Sequence, residues 1–165
     1  MLIDATPLSL FVSGTIWGAL ILYVVGEFGR SLRPSPPWTR PLWILGSACY
    51  ICHVISAFSL HHNWSHSAAY AYTAATTYDL LGINSGLGLW VNYIFTAIWI
   101  GEGLLPGRWG LTVNRRLNRV VRSVFLFMII NGAFVFVAGP QRWFGLLLVV
   151  TLLTIWWNDT ETCSG

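Results

Sequence analysis

The sequence predicts an all-α integral membrane protein, a single-domain polytopic bundle of about five transmembrane helices plus one outer interfacial helix. Three observations lead there. Apolar residues make up 55% of the 165-residue chain and charged residues only 9%, whereas a soluble domain carries about 25% charged residues to face water. The mean hydropathy is +0.63, so most of the surface has to face lipid. Five apolar runs approach the roughly 20 residues that a helix rising 1.5 Å per residue needs to cross a bilayer, and the breaks between them collect Pro and Arg. Lipid offers no partner to bare backbone groups, so each run is expected to be helical.

The first run, LSLFVSGTIWGALILYVVGEF at residues 8–28, follows a start, MLIDATPLSL, that has no basic region or small-residue cleavage site. It is expected to stay in place as an anchor rather than to be removed as a signal peptide. The segment SLRPSPPWTRP ends it, because proline cannot continue a helix. The second run, PLWILGSACYICHVISAFSL, covers residues 41–60, and the third, GLGLWVNYIFTAIWIGEGLL, covers 86–105 and stops at Pro106–Gly107. The fourth covers 120–139. Gly139–Pro140 then leaves so little loop that the short fifth run, 142–157, has to return as a tight antiparallel hairpin. Between the second and third runs, SAAYAYTAATTYDLLG at 67–82 is helix-like but only mildly apolar. If it crossed the bilayer, the two arginine-rich segments would fall on opposite sides. It is therefore read as the outer interfacial helix, with a six-crossing bundle as the alternative.

Arginine sets the orientation. The net charge of +3 comes from nine Arg and no Lys against six acids. Arg30, Arg33 and Arg40 follow the first run; Arg108, Arg115, Arg116, Arg119 and Arg122 follow the third; only Arg142 falls on the other side. The positive-inside rule places the amino terminus outside and the carboxyl terminus in the cytoplasm, with a bacterial inner (plasma) membrane as the expected location. These arginines form no block outside the short inter-run segments, so no nucleic-acid partner is expected. The expected partners are the lipid bilayer and, beyond it, other membrane subunits or further copies of the chain. Trp38, Trp43, Trp99, Trp109, Trp156 and Trp157 are expected near the inner boundary and Trp64 and Trp143 near the outer one, whereas Trp17 fits neither belt.

The stretch CYICHVISAFSLHHNWSH, residues 49–66, holds all four histidines and two of the three cysteines. At 100° per residue Gly46, Cys49, His53, Ser56 and Ala57 share a face, and small residues on one stripe let a neighbouring helix come close. His53 is thus expected to point into the bundle, where an ionisable side chain is a functional candidate. Cys49-Tyr50-Ile51-Cys52-His53 fits the C-x-x-C-H pattern of covalent haem attachment, but it lies inside a membrane helix and not on an accessible segment. A thiol redox pair at Cys49 and Cys52 lacks a second pair to pass electrons on, since Cys163 is on the inner side. Noncovalent ligation is more open. Neutral imidazole binds Cu, Fe or Zn, or a b-type haem iron. His62 and His66 share a face if the helix continues through Asn63–Ser65, and His53 or His61 would supply a further ligand.

The metal candidates are therefore His53, His61, His62 and His66. His53, Asn92 and Asn131 are the cofactor-pocket candidates, joined by Tyr93 and Thr96 at matching depth. The plainer reading makes His61, His62 and Trp64 an interfacial cap and pairs His53 with Asn92 or Asn131. Asp79 lies too far along its helix to join the set. Glu27 and Glu102, at the inner helix ends, are expected to pair with Arg30, Arg108 or Arg115–Arg116; a proton path would need ionisable groups through mid-membrane that the later runs lack. Three functions follow: a small metal- or haem-binding redox component with its site at the outer face, a non-enzymatic accessory subunit of a larger membrane complex, or a small oligomeric channel or carrier.

Overall fold

A computed structural model describes residues 7–32, 34–104, 115–132 and 139–161. Six helices account for almost all of them: α1 (Pro7–Ser31), α2 (Thr39–His62), α3 (His66–Leu81), α4 (Leu87–Leu104), α5 (Arg115–Ile130) and α6 (Gln141–Glu161). No strand occurs among the described residues. Five of the six follow the predicted elements to within four residues at each end. α5 departs more: it begins five residues before the predicted run, because the arginines ahead of Val120 are good helix formers. It ends in a π turn at 131–132, and residues 133–138 of that run lie outside the described residues. Among the described residues, α1, α2 and α4 are long and apolar enough to cross a bilayer, over Leu10–Ser31, Thr39–His62 and Leu87–Leu104.

α1 and α2 form the most extensive helix pair. Their turn is fixed by Ser35, whose hydroxyl reaches the Gly29 carbonyl and the buried Thr39 hydroxyl, each at 3.2 Å. Pro41 is accommodated because it stands in the first turn of α2, where its missing N–H would have had no helical partner. Farther along, Gly46 lets α2 approach α1 and α4 together. A Cβ there would lie 3.1 Å from Trp99 Cζ2, 3.3 Å from Leu22 Cβ and 3.6 Å from the Ala19 carbonyl oxygen. The small-residue face expected on this helix is thus present, and it meets α1.

The aromatic part of the core draws on four helices, and Leu148, Val149, Leu152 and Ile155 of α6 complete it. Tyr23 of α1 stacks on Phe125 of α5 with centroids 4.5 Å apart and rings 14° from parallel. Trp43 and Tyr50 of α2 and Phe95 and Trp99 of α4 close around that pair, with centroid separations of 4.6–6.3 Å. Such spacings are those at which edge-to-face and offset rings attract, each pair contributing about 0.5–1.5 kcal/mol beyond its burial. Trp43 and Trp99, expected at the inner membrane boundary, are instead core residues with 4% and 1% of their surface exposed. Trp38, Trp64, Trp143 and Trp157 are exposed, whereas Trp156 is half-buried and bonds Glu27. Trp109 lies outside the described residues.

The junction between α2 and α3 is a sharp break. Asn63 and Trp64 both take left-handed backbone conformations, at φ 44° and 60°. The Trp64 N–H donates to the Phe58 carbonyl and the Ser65 N–H to the His62 carbonyl, two bonds that close the end of α2. Ser65 then caps α3 by accepting from the Ala68 N–H at 3.2 Å, and Gly82 closes α3 at φ 71°, a conformation glycine adopts without strain. α3 packs on α4 and, less extensively, on α2.

Gly46→Val is expected to destabilise the bundle by about 1–3 kcal/mol through overpacking against Trp99 and Leu22. Gly101→Ala, where an added Cβ meets nothing within 4 Å, is expected to change little. Unfolding titrations of both variants in the same detergent check the contrast.

Candidate functional site

The bundle has two polar ends. At the histidine end, His53 bonds neither an asparagine nor another histidine. Its Nδ1 sits 3.0 Å from the Val12 carbonyl oxygen of α1, and the ring is half-buried. The inward orientation expected of His53 is realised, with a backbone group as partner. Asn92 is engaged by a different residue of α2: the Tyr50 hydroxyl donates to its Oδ1. Thr96 turns back onto the Asn92 carbonyl at 2.8 Å. The Asn131 amide donates to the Phe127 carbonyl of its own helix at 2.6 Å. Asn92 and Asn131 therefore do not share one hydrogen-bonded pocket with His53.

The other three histidines surround the α2–α3 break. Because α2 stops at His62 and α3 starts at His66, the two do not occupy successive turns of one helix, so the condition for a shared i,i+4 face is not met. The physical reason is the left-handed pair Asn63–Trp64. His62 instead lies among Phe58, His61 and Tyr72, with ring centroids 5.4–6.4 Å away. His66 lies against Trp90 and Tyr93 of α4 at 5.5 and 5.8 Å. Among the described residues, no group of three or more His, Cys, Asp or Glu side chains is assembled to hold a metal ion. Cys49 is half-buried and Cys52 exposed, and both are free thiols. Asp79 is exposed.

At the arginine end, one turn beyond the aromatic core, lies a feature only partly legible in the sequence. The Glu27 side chain of α1 is fully buried. Its Oε2 accepts a 2.7 Å hydrogen bond from the Trp156 indole N–H of α6 and lies 3.6 Å from Arg122 Nε of α5. Its Oε1 faces Arg30 Nη1 at 3.3 Å as an ion pair without hydrogen-bond alignment. Arg30 also reaches Glu102 of α4 at 3.9 Å. Both guanidiniums lie over indole rings, Arg30 over Trp43 at 4.7 Å and Arg122 over Trp156 at 5.2 Å. Two carboxylates and two guanidiniums balance in charge and tie α1, α4, α5 and α6 together. The expected pairing of Glu27 and Glu102 with Arg30 is present. The contribution of Arg122 was the missed element; its signal is depth, since it stands one turn from Phe125 as Glu27 stands one turn from Tyr23.

Two open clefts flank the bundle. One, of about 500 Å³, runs along α5 beside α4 from Arg116 and Arg119 to Phe127 and Val91. The other, of about 540 Å³, lies between α1 and α6 and is lined by Val24, Phe28, Thr151 and Ile155, with no charged side chain.

No protein-family model, curated protein or solved structure matches this chain.

Glu27→Gln would remove the carboxylate that Arg30 and Arg122 both face. Removing one partner of a buried ion pair typically costs about 3–5 kcal/mol; partial exposure of Arg30 and Arg122, at 22% and 15%, brings the expected loss down to about 2–3 kcal/mol. A double-mutant cycle of Glu27→Gln with Arg122→Gln in detergent unfolding is expected to give a favourable coupling above about 1 kcal/mol. Additive losses would mean that the two groups do not act together.

Proposed function

We propose that the protein is a non-enzymatic accessory subunit of a larger complex in a bacterial inner membrane, crossing the bilayer five times and presenting α3 at the outer face to a partner. The observation that carries this reading is the contrast between the two kinds of surface. The intramembrane polar groups are turned onto the fold itself: His53 onto Val12, Tyr50 onto Asn92, and Glu27 onto Arg30, Arg122 and Trp156. α3 does the opposite. It buries only Ala69 and Ala74 and exposes Tyr72, Tyr78 and Leu81, next to exposed Trp64 and Trp90. Tyrosine and tryptophan are the residues most enriched where proteins bind one another. Capped at both ends, α3 offers them on a helix whose geometry is fixed before any partner arrives, which lowers the ordering cost of association.

Five crossings follow from adding α5 and α6 to the three helices that are long and apolar enough to span. α6 holds the apolar stretch 143–157 between polar ends, and α5 turns from an arginine-bearing first half, residues 115–122, to a mostly apolar second half. Arg30, Arg40, Arg116, Arg119 and Arg122 belong to one end of this arrangement and Arg142 to the other, which puts the amino terminus outside and the carboxyl terminus in the cytoplasm.

A second reading, metal or haem binding, is supported by one observation. With Nδ1 of His53 on a backbone carbonyl, Nε2 is the nitrogen left to ligate, the arrangement in which protein imidazoles commonly hold Cu, Fe, Zn or a haem iron. The remaining donors would come from another copy or another subunit.

A photo-crosslinking residue at Tyr72 in the membrane of the native host is expected to capture a defined protein; adducts to lipid alone would sink the accessory role. Purified protein with neither a Soret band nor stoichiometric metal would remove the second reading, and a signal that survives His53→Ala would reject His53 as ligand. In a variant with its native cysteines replaced, Trp64→Cys is expected to label from the outside. Labelling from the cytoplasmic side only would overturn the orientation.

A further inference from the structure

The cleft along α5 has a chemical gradient. Arg116, Arg119, Val120, Val124 and Phe127 line it from α5, and Val91 lines it from α4. At 100° per residue the α5 members fall on one face. The two guanidinium groups lie at its start, and the wall beyond them is apolar apart from the Ser123 hydroxyl. Arg116 to Phe127 is 11 residues, about 16 Å of helix at 1.5 Å per residue, a length matched to most of a fatty acyl chain. Arg116 and Arg119 are one turn apart, so both can address a single anionic group. The equivalent cleft between α1 and α6 has a similar volume and no charged side chain.

We propose that this cleft is a binding site for an anionic phospholipid of the inner leaflet, with the phosphate held by Arg116 and Arg119 and one acyl chain lying along Val120, Val124, Phe127 and Val91. The inference rests on the reading of α5 as a membrane helix with its arginine end inward. Charge complementarity selects the occupant. A zwitterionic lipid brings a cation as well as the phosphate to the guanidiniums, and a neutral lipid brings no charge at all. Basic pockets between membrane helices on the cytoplasmic side suit anionic headgroups for this reason. Arginine is suited to the task because its planar fork meets phosphate oxygens in pairs and stays charged beside lipid. A soluble phosphate would satisfy the arginines but leave the apolar wall unused.

The test uses the full-length protein in neutral detergent, loaded with dioleoyl phosphatidylglycerol or dioleoyl phosphatidylcholine and read by native mass spectrometry. Phosphatidylglycerol is expected to be retained at least about tenfold more strongly, in line with two arginines acting on one anion. R116Q/R119Q is expected to bring the two lipids to near parity, with helicity unchanged by circular dichroism. Val120→Trp keeps both arginines and fills the apolar wall; it is expected to weaken retention of phosphatidylglycerol, and it carries the test if the double variant does not fold. Arg142→Gln is expected to keep the preference. Equal retention of the two lipids by the native chain would overturn the proposal. So would a preference that survives R116Q/R119Q or, with that variant unfolded, Val120→Trp; so would its loss in Arg142→Gln, or displacement of the lipid by millimolar inorganic phosphate. Residue-64 labelling reports insertion and orientation separately, so inserted protein without lipid selectivity would reject this site and leave the membrane reading standing.

Discussion

The polar cluster at the arginine end of the molecule answers to one requirement: the Glu27 carboxylate is out of contact with solvent and has to be neutralised inside the fold. An ionised carboxylate in a low-dielectric interior is tolerated only when it is paired and hydrogen-bonded. Glu27 draws in Arg30 from its own helix, Arg122 from α5 and Trp156 from α6, and Arg30 in turn draws in Glu102 from α4. Four helices are thereby fixed at one depth. Two indole faces lie against the two cations and replace part of the hydration that burial removed. The aromatic core one turn away lowers the local dielectric, which strengthens the same pairs.

The aromatic core and the small-residue contact depend on one another. Without Gly46 at its closest point to Ala19 and Leu22, α2 would stand away from α1, and Trp43 and Tyr50 would lose their places beside Tyr23 and Trp99. In a bilayer this matters more than in water. Lipid tails are as apolar as leucine side chains, so burial alone gives little reason for helices to associate, and packing and hydrogen bonds have to supply it. The Tyr50–Asn92 bond between α2 and α4 and the His53–Val12 bond between α2 and α1 serve that purpose at the histidine end.

Much of the fold was legible in the sequence because it depends on quantities that sequence carries directly. Apolar run length and proline breaks located the helices, and the 100° period placed Gly46, Cys49 and His53 toward the bundle. What failed depended on side-chain reach. Trp43 and Trp99 stand toward the ends of their helices, but position along a helix does not distinguish its outward side from its inward side, and the core took them. His53 was expected to pair with Asn92 or Asn131, yet Asn92 is bonded by Tyr50, whose long side chain reaches across where the His53 ring does not. The His62–His66 pairing assumed an unbroken helix. Asn63 is one of the few residues that enter the left-handed region readily, and with hindsight it is the stop signal; nothing in Trp64 announces the second left-handed residue. Arg122 was assigned to the inner rim with the other arginines, and its pairing with a residue 95 positions earlier has no local signature.

The Glu27–Arg30 pair has a consequence for how the chain is made. α1 leaves the ribosome long before α5 and α6 exist, so in the newly made helix Glu27 has neither Arg122 nor Trp156 to meet it. Arg30, one turn away on the same helix, travels with it. The helix therefore carries its own counter-ion during biogenesis, and the interhelical bonds take over part of that task only when the last two helices arrive. A local pair that contributes modestly to the finished bundle is thus the one that protects its earliest intermediate.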